Sequence, residues 1–177
     1  MALIDILVTV NGQQLAQQVS DGSLKPGSVN SPTALGSYSS SDVYISMVAQ
    51  NNYVSNDQGK SELSITANSG DSVRWTMTTF DENTDYTAFL YADHFNPSTG
   101  ITSLSYFNMQ SSLYLPSGTD PASGNVQLYH NNTYVAQGTI IESNQSIQYT
   151  LSFKLINNSN GQVIGYFTWD PFIKVSP

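Results

Sequence analysis

The sequence predicts an all-β protein: a single antiparallel β-sandwich domain over residues 1–177, jelly-roll or immunoglobulin-like, with little or no helix. Three observations predict this class. Short runs that alternate apolar and polar residues recur along the chain, turn-forming residues separate them, and no long stretch has helical periodicity. A chain of 177 residues is also long enough to bury a sizeable core in one domain.

Strand-like segments in the first half of the chain are Ala2–Asn11, Asp42–Ala49, Lys60–Asn68, Ser72–Phe80 and Asp85–Asp93. The first has apolar residues at every second position, which is the pattern of a half-buried strand. The third and fourth are joined by a tight turn, so we expect a hairpin. The fifth is apolar on both faces, which is typical of a central strand. Between the first two, Gln13–Val19 is compatible with a short helix or a loop.

Strand-like segments in the second half are Ile101–Met109, Val126–Tyr129, Tyr134–Ile141, Ser146–Ile156 and Gly165–Val175. The second and third flank His130–Thr133, which predicts a hairpin. The fourth has the clearest alternation in the chain. In the last segment we expect Phe167 and Trp169 in the core or at an interface. Because Pro171 cannot donate to a strand ladder, we also expect a bend there, at which the strand can change sheets.

The charge of the chain limits the classes of partner that it is expected to bind. Asp and Glu outnumber Lys and Arg by 13 to 5, which gives a net charge of −8, and charged residues make up only 10% of the chain. Such a surface repels phosphate groups, so we expect neither nucleic acid nor an anionic membrane as a partner. The apolar N-terminal run is short, is interrupted by Asp5 and has no basic segment before it, unlike a signal peptide. We therefore expect a cytoplasmic protein. With no Cys, the chain has neither disulfides nor thiolate metal sites.

The segment between the fourth and fifth predicted strands is the candidate metal site. Asp81, Asn83 and Asp85 have the spacing that begins an EF-hand Ca²⁺ loop, in which alternate side-chain oxygens converge on the ion. The rest of that pattern is absent, because Tyr86 and Ala92 stand where Gly and Glu are needed. The alternative interpretation is an acidic turn. Apart from calcium at this segment, no cofactor is predicted.

Four residues are candidates for binding a ligand: Arg74, Asp93, His94 and Asn96. The single arginine, Arg74, either pairs with a carboxylate, for which Asp71 and Asp170 are candidates, or anchors an anionic or sugar ligand. Asp93 and His94 are adjacent and suggest an acid–base pair, but no Ser or Cys nucleophile motif accompanies them. We therefore predict a protein that is not an enzyme. A paired-carboxylate glycosidase is the disfavoured alternative, because Glu62, Glu82 and Glu142 have no supporting motif.

Aromatic residues are plentiful, with eleven Tyr among them. A carbohydrate site places an aromatic ring against the apolar face of a sugar, while amides and carboxylates bond its hydroxyls. The same aromatic residues are also ordinary in strands and cores. Segments in which a binding site is expected are the predicted loops Ser20–Ser41, Asp81–Asp85, His94–Gly100 and Pro116–Gly124.

Four blocks of sequence together resemble one family. They are I-D-I-L-V at Ile4–Val8, G-D-S-V-R-W at Gly70–Trp75, Q-Y-T-L-S-F-K-L at Gln148–Leu155 and G-Y-F-T-W-D-P-F-I-K-V at Gly165–Val175. In this order they resemble the PixA/AidA family of bacterial inclusion-body proteins, and the last block is the most specific. The resemblance covers essentially the whole chain.

The resemblance implies a small soluble protein of Gram-negative bacteria with no established catalytic residues. Some members accumulate in cytoplasmic inclusions, and some are controlled by cell density and linked to host interaction. Inclusion-forming members are rich in methionine, whereas this chain has four Met, which argues against a storage or crystalline-inclusion role. We therefore expect a non-enzymatic, self-associating homo-oligomer with a role in host or environmental interaction. The alternative is a carbohydrate-binding lectin that takes glycans as partners, with or without the help of calcium.

Overall fold

A computed structural model of the chain describes residues 1–120, 122 and 124–175, which form two β-sheets and one α-helix. Its strands are β1 (Leu3–Val10), β2 (Thr33–Ala34), β3 (Ile45–Ala49), β4 (Val54–Asn56), β5 (Ser64–Ala67), β6 (Ser72–Thr79), β7 (Tyr86–Asn96), β8 (Ser105–Pro116), β9 (Val126–Thr139), β10 (Ser146–Asn157), β11 (Val163–Trp169) and β12 (Phe172–Val175). The helix α1 (Gly12–Ser20) is capped by Asn11, whose side chain accepts a hydrogen bond from the Gln14 backbone N–H at 3.2 Å. Within the described residues, every helix is too short or too polar to cross a bilayer.

The first sheet has five strands in the order β3-β1-β6-β9-β8. β1 and β6 run parallel, while the other neighbours are antiparallel. The alternation predicted for β1 is confirmed, because Ile4, Ile6, Val8 and Val10 are all buried on its inner face. β8 forms one edge of this sheet.

The second sheet has seven strands, in which β2-β11-β10-β12-β5-β4 follow one another and β7 pairs with the other edge of β10. β11 runs parallel to β2, and β12 runs parallel to β5. Both sheets are therefore mixed, which corrects the expectation of antiparallel sheets while the all-β sandwich itself is confirmed. Side-chain alternation indicates which residues face inward, but it is the same beside a parallel and an antiparallel neighbour.

Aromatic side chains hold the inner faces of the two sheets together. Trp75 of β6 is fully buried, with its ring centre 5.5 Å from that of Tyr149 in β10. Its indole N–H donates a hydrogen bond to the Tyr149 hydroxyl oxygen at 3.1 Å, so the buried donor has an acceptor. Phe167 and Trp169 of β11 lie in the same core, which confirms that expectation.

Both predicted hairpins are wrong. β5 belongs to the seven-stranded sheet and β6 to the five-stranded sheet, so the turn between them carries the chain from one sheet to the other. His130–Thr133 lies inside β9, and the hairpin connection runs instead from Ser117 to Asn125, with residues 121 and 123 outside the described part. Asn131 and Asn132 are turn signals locally, but a continuous ladder with β8 overrides their preference.

The strand predicted to be central lies at an edge. Among the described strands, β7 pairs only with β10. Side chains from neighbouring strands cover its second apolar face. The Lys154 ammonium lies 5.5 Å from the centre of the Phe89 ring, and that ring packs edge-on against Tyr134 at 5.7 Å. A strand with apolar side chains on both faces, such as β7, therefore does not need a paired strand at each of its edges.

The terminal segment forms two strands in one sheet. β11 and β12 pair with β10 in a single register, from Leu151 opposite Trp169 to Gln148 opposite Phe172. Pro171 lies in the predicted interruption, but the chain stays in the seven-stranded sheet and does not change sheets. Beyond the break, β12 gains β5 as a parallel neighbour.

Candidate functional site

The predicted metal-binding segment is a hydrogen-bonded turn between β6 and β7. Asp81 accepts hydrogen bonds from the Thr79 hydroxyl and, at 2.7 Å, from the Asp85 backbone N–H. The side-chain oxygen of Asn83 accepts from the Thr79 backbone N–H at 3.1 Å. Burial raises the pKa of Asp81, but hydrogen bonds from Thr79 and Asp85 outweigh it and lower the pKa overall. The oxygens expected to hold Ca²⁺ are thus engaged within the turn.

Asn158, which lies outside the turn, also stabilises it. The Asn158 side chain donates to the backbone oxygens of Asn83 at 2.7 Å and Thr84 at 3.1 Å. Across residues 1–120, 122 and 124–175, no group of three or more His, Asp or Glu side chains is arranged to hold a metal ion. The geometry therefore agrees with the acidic-turn interpretation, and calcium binding stays a prediction.

Arg74, the first predicted ligand residue, is engaged by a carboxylate on the outer face of the five-stranded sheet. Its Nε and Nη2 atoms each lie 2.7 Å from the Asp5 Oδ1 atom. The expected partners, Asp71 and Asp170, are wrong. Because β1 and β6 are parallel neighbours, Asp5 lies directly opposite Arg74 although it is far away in sequence.

The other three predicted ligand residues, Asp93, His94 and Asn96, lie in β7 of the second sheet, so they do not surround Arg74. Asp93 is partly buried and accepts a hydrogen bond from the Tyr106 hydroxyl of β8 at 2.6 Å. His94 and Asn96 are exposed on the opposite face. Burial raises the pKa of Tyr106, and the Asp93 carboxylate raises it further, so the phenol remains the donor. The hydrogen bond between Tyr106 and Asp93 therefore links the two sheets, and Asp93 does not pair with His94.

The three glutamates considered for glycosidase chemistry lie in separate places. Glu62 is buried and accepts a hydrogen bond from the Tyr38 backbone N–H at 2.6 Å. Glu82 lies in the β6–β7 turn, and Glu142 is an exposed residue that accepts from the Thr99 hydroxyl at 3.2 Å. Glu82 and Glu62 line different cavities.

β8 and β9 extend beyond the sandwich as a two-stranded arm, which we define as Asn108–Pro116 with Val126–Tyr134. The two strands pair with each other over this length, but β9 pairs with β6 only from Val135 to Thr139. No other described strand pairs with either edge of the arm. Nearly all its residues are exposed on both faces. Since an isolated two-stranded ribbon is marginally stable in water, a neighbouring chain would stabilise it.

The arm has no charged side chains and combines apolar and aromatic residues with amide and hydroxyl residues. Its strands contain no Asp, Glu, Lys or Arg, although the whole chain has a net charge of −8. Large apolar or aromatic side chains of the arm that are more than a third exposed are Leu113, Tyr114, Leu115, Val126, Leu128, Tyr129 and Tyr134. Leu113, Leu115 and Tyr129 lie on one face of the arm, and the other four lie on the opposite face.

An apolar row crosses the outer face of the five-stranded sheet and leads to the arm. Neighbouring positions in β3, β1, β6, β9 and β8 are Val48, Leu7, Thr76, Val135 and Phe107. Val48 is 39% exposed, and Leu7 and Phe107 are each 38% exposed. Thr76 interrupts the row and Val135 is buried, so the exposed apolar residues of the row lie at its two ends.

A groove of about 760 Å³ lies between the base of the arm and the sandwich. Its lining residues include Thr76, Thr78, Thr87, Phe89, Asn108, Asn131, Asn132 and Tyr134. Phe89 and Tyr134 meet edge-on, and Tyr134 stacks on Tyr106 with ring centres 6.4 Å apart. Amide and hydroxyl groups therefore lie beside aromatic rings in this groove. Glu82 is the charged residue of its lining.

The arm lies outside the loops in which a site was expected, except for Pro116 at its tip, whereas the groove is lined in part by Glu82 and Asn83 of the expected segment Asp81–Asp85. A signal for the arm was available, because Ser105–Pro116 and Val126–Thr139 are long uncharged segments. The expected turn at His130–Thr133 concealed it. The groove as a whole has no local signal beyond that segment, because the rest of its lining comes from β6, β7 and the arm, which are distant in sequence.

Comparison with known proteins gives one family match. A family model described as "PixA: Inclusion body protein" matches residues 2–175. The crystal structure of the inclusion body protein PixA from Burkholderia cenocepacia J2315 superposes with a TM-score of 0.75 and 16% sequence identity, covering 99% of this chain and 96% of that one. At this identity the likeness concerns the fold. The solution structure of Amebosin covers 71% of this chain with 12% identity and a TM-score of 0.29, too low to support an argument. None of the curated proteins matches the sequence.

Proposed function

Because the chain belongs to the PixA family of inclusion body proteins, we propose that it is a non-enzymatic protein that self-associates and collects in cytoplasmic inclusions of the bacterial cell. Its role lies in interaction with a host or with the environment, and the assembled protein carries that role. The single observation that supports self-association is the exposed, uncharged, two-stranded arm.

Charge explains why the arm suits contact between copies. Two molecules of net charge −8 repel each other, and like charges held close together in a contact add to that repulsion. A contact made through the arm strands places no ionised side chains against one another. Burial of their exposed apolar groups contributes roughly 25 cal/mol for each Å² removed from water.

A non-enzymatic role is supported by the way the reactive side chains are used. Arg74 is held by Asp5, Asp93 accepts from Tyr106, and Asp81 is engaged in its own turn. These groups serve the fold, and their polar atoms do not converge on a common open space.

Sedimentation velocity from micromolar to millimolar concentration tests the proposal. The native chain should associate with rising concentration, and the double variant Leu113→Ser/Leu128→Ser should associate at least about tenfold more weakly, because it loses apolar contact on both faces of the arm. The matched control is Val29→Ser/Val43→Ser, which changes two exposed apolar residues outside the arm. A native chain that remains monomeric throughout would contradict self-association.

Carbohydrate binding in the groove is the second candidate function. The groove combines the aromatic pair Phe89 and Tyr134 with the amides of Asn108, Asn131 and Asn132. These are the groups that meet the apolar face and the hydroxyls of a neutral sugar.

A glycan array run with and without EDTA tests this second function. Saturable binding that Asn132→Ala abolishes and that Asn30→Ala, an exposed control, leaves intact would support the groove. His94→Ala tests the alternative that the exposed predicted residues of β7, His94 and Asn96, contact the sugar. Binding and melting temperature that do not change with EDTA would exclude a calcium requirement. A blank array would remove the lectin hypothesis.

A further inference from the structure

The free edge of β8 indicates how two copies of the chain meet. β8 is the outermost strand of its sheet, is 12 residues long, and keeps one register with β9 without a bulge. Natural sheets protect such an edge with charged residues, proline, bulges or short strands. β8 contains no charged residue, and its one proline, Pro116, stands at its end. Backbone groups along its outer edge have no strand partner among the described residues, so this edge can accept another strand.

We propose, on the basis of the self-association proposed above, that two copies of the chain pair antiparallel through β8 about a two-fold axis at Ser111. The pairing joins the two five-stranded sheets into one continuous sheet. The contact is isologous, because each copy contributes the same edge, and it closes as a dimer.

The side-chain pattern of β8 fixes the position of the axis. An axis perpendicular to the sheet at Ser111 sets residues equally distant from it opposite one another and on the same face. Met109 of one copy then faces Leu113 of the other, and Phe107 faces Leu115. Symmetry repeats each apolar pair, and such cross-strand pairs are what stabilise a sheet.

An axis one residue earlier, at Gln110, fits the sequence less well. It sets Met109 opposite Ser111 and leaves Leu115 opposite Ser105, so two apolar side chains lose their apolar partners. The exposure of Leu113 and Leu115, 44% and 42%, is therefore best removed by pairing about Ser111.

A second copy is the occupant that this edge favours. The pattern of β8 is complementary to itself, and an uncharged edge lets two acidic molecules approach without opposing like charges. Pairing also covers Phe107, which ends the row at the free edge, with Leu115 of the other copy.

The absence of Cys from the chain makes a cross-linking test specific. Ser111→Cys places two thiols on directly opposed residues, whose Cα atoms are about 4.5–5.5 Å apart, within the range of a disulfide. Ser105→Cys is the matched control: Ser105 is exposed and on the same face of β8, but its copy lies about 40 Å away in the proposed pair. Under mild oxidation, the Ser111→Cys variant should form a linked dimer at least about tenfold faster.

A pair of lysine variants gives a second measurement. Ser111→Lys sets two like charges against each other at the axis and should weaken dimerisation about fivefold. Ser105→Lys changes the net charge equally but keeps the charges far apart, and it should dimerise like the native chain. Circular dichroism checks that the four variants are folded.

The outcomes separate the two proposals. Faster cross-linking at Ser111, together with weaker dimerisation of Ser111→Lys, supports pairing through β8. Concentration-dependent association of the native chain with equally slow cross-linking of both Cys variants overturns the β8 pairing and leaves self-association standing. A native chain that is monomeric at all concentrations overturns both.

Discussion

Asp71 and Glu62 are both buried carboxylates, 3% and 4% exposed, whose pKa values are shifted in opposite directions. Burial alone would raise the pKa of Asp71, but N–H groups from Asn68 at 2.9 Å and Ala2 at 2.6 Å lower it overall. Asp71 therefore stabilises the fold above its ordinary pKa of 3.8, and this contribution is lost as pH falls through its lower folded-state value. Burial raises the pKa of Glu62, and the single N–H of Tyr38 does not offset it.

Replacing Glu62 with Gln is expected to stabilise the protein at neutral pH. In the folded state Glu62 binds its proton more tightly than in the unfolded chain, so stability falls as pH rises above the ordinary pKa of 4.5. Glu62→Gln removes the ionisation and keeps an oxygen that accepts the Tyr38 N–H. Urea denaturation should show a gain in the free energy of unfolding at pH 7 that shrinks at pH 4.

The exposed residue Glu142 provides the control for that measurement, because Glu142→Gln makes the same chemical change without burial. It should have little effect at either pH. A loss of stability at pH 7 in Glu62→Gln would mean that the charged hydrogen bond to Tyr38 outweighs the effect of burial.

At the scale of the element, residue pattern was enough where a strand forms one half-buried surface. The alternation in β1 and β10 identified both strands and their buried residues, as with Ile147, Tyr149 and Leu151. Alternation did not identify the full extent of β8 and β9, because the arm is exposed on both faces and so has no buried face for apolar residues to mark. Local turn preference at Asn131 then suggested a break that the twelve-pair ladder with β8 removes.

The candidate site was the least predictable part for a related reason. Spacing correctly brought Asp81, Asn83 and Asp85 into one turn, because these residues are adjacent in sequence. Arg74 and Asp5 meet through a parallel strand pair that no spacing could indicate. The groove requires β6, β7 and the arm to be placed in three dimensions before its lining is known.

At the scale of the whole molecule, charge opposes association and apolar surface favours it. A net charge of −8 and a pI of about 4.2 describe a molecule that repels its own copies at neutral pH. The exposed apolar side chains of the arm and of the row on the five-stranded sheet supply the opposing attraction. The balance between these two forces should therefore depend on ionic strength.

Self-association is expected to strengthen with salt. Raising NaCl from about 0.1 M to about 1 M shortens the Debye length from about 10 Å to about 3 Å and screens repulsion between copies. The dissociation constant measured by sedimentation velocity should fall across this range, while Leu113→Ser/Leu128→Ser stays weakly associated throughout. Weaker association at high salt would mean that ion pairs carry the contact.

The sequence by itself determined the all-β class, the buried faces of the best alternating strands, the acidic surface and the resemblance to the PixA/AidA family. These properties depend on residues close together in the chain or on composition. Only the tertiary structure decided which strands are neighbours, that both sheets are mixed, that Arg74 meets Asp5, and that β8 and β9 leave the sandwich as an arm. Strand pairing joins residues distant in sequence, and side-chain alternation contains no information about the identity or direction of the partner strand.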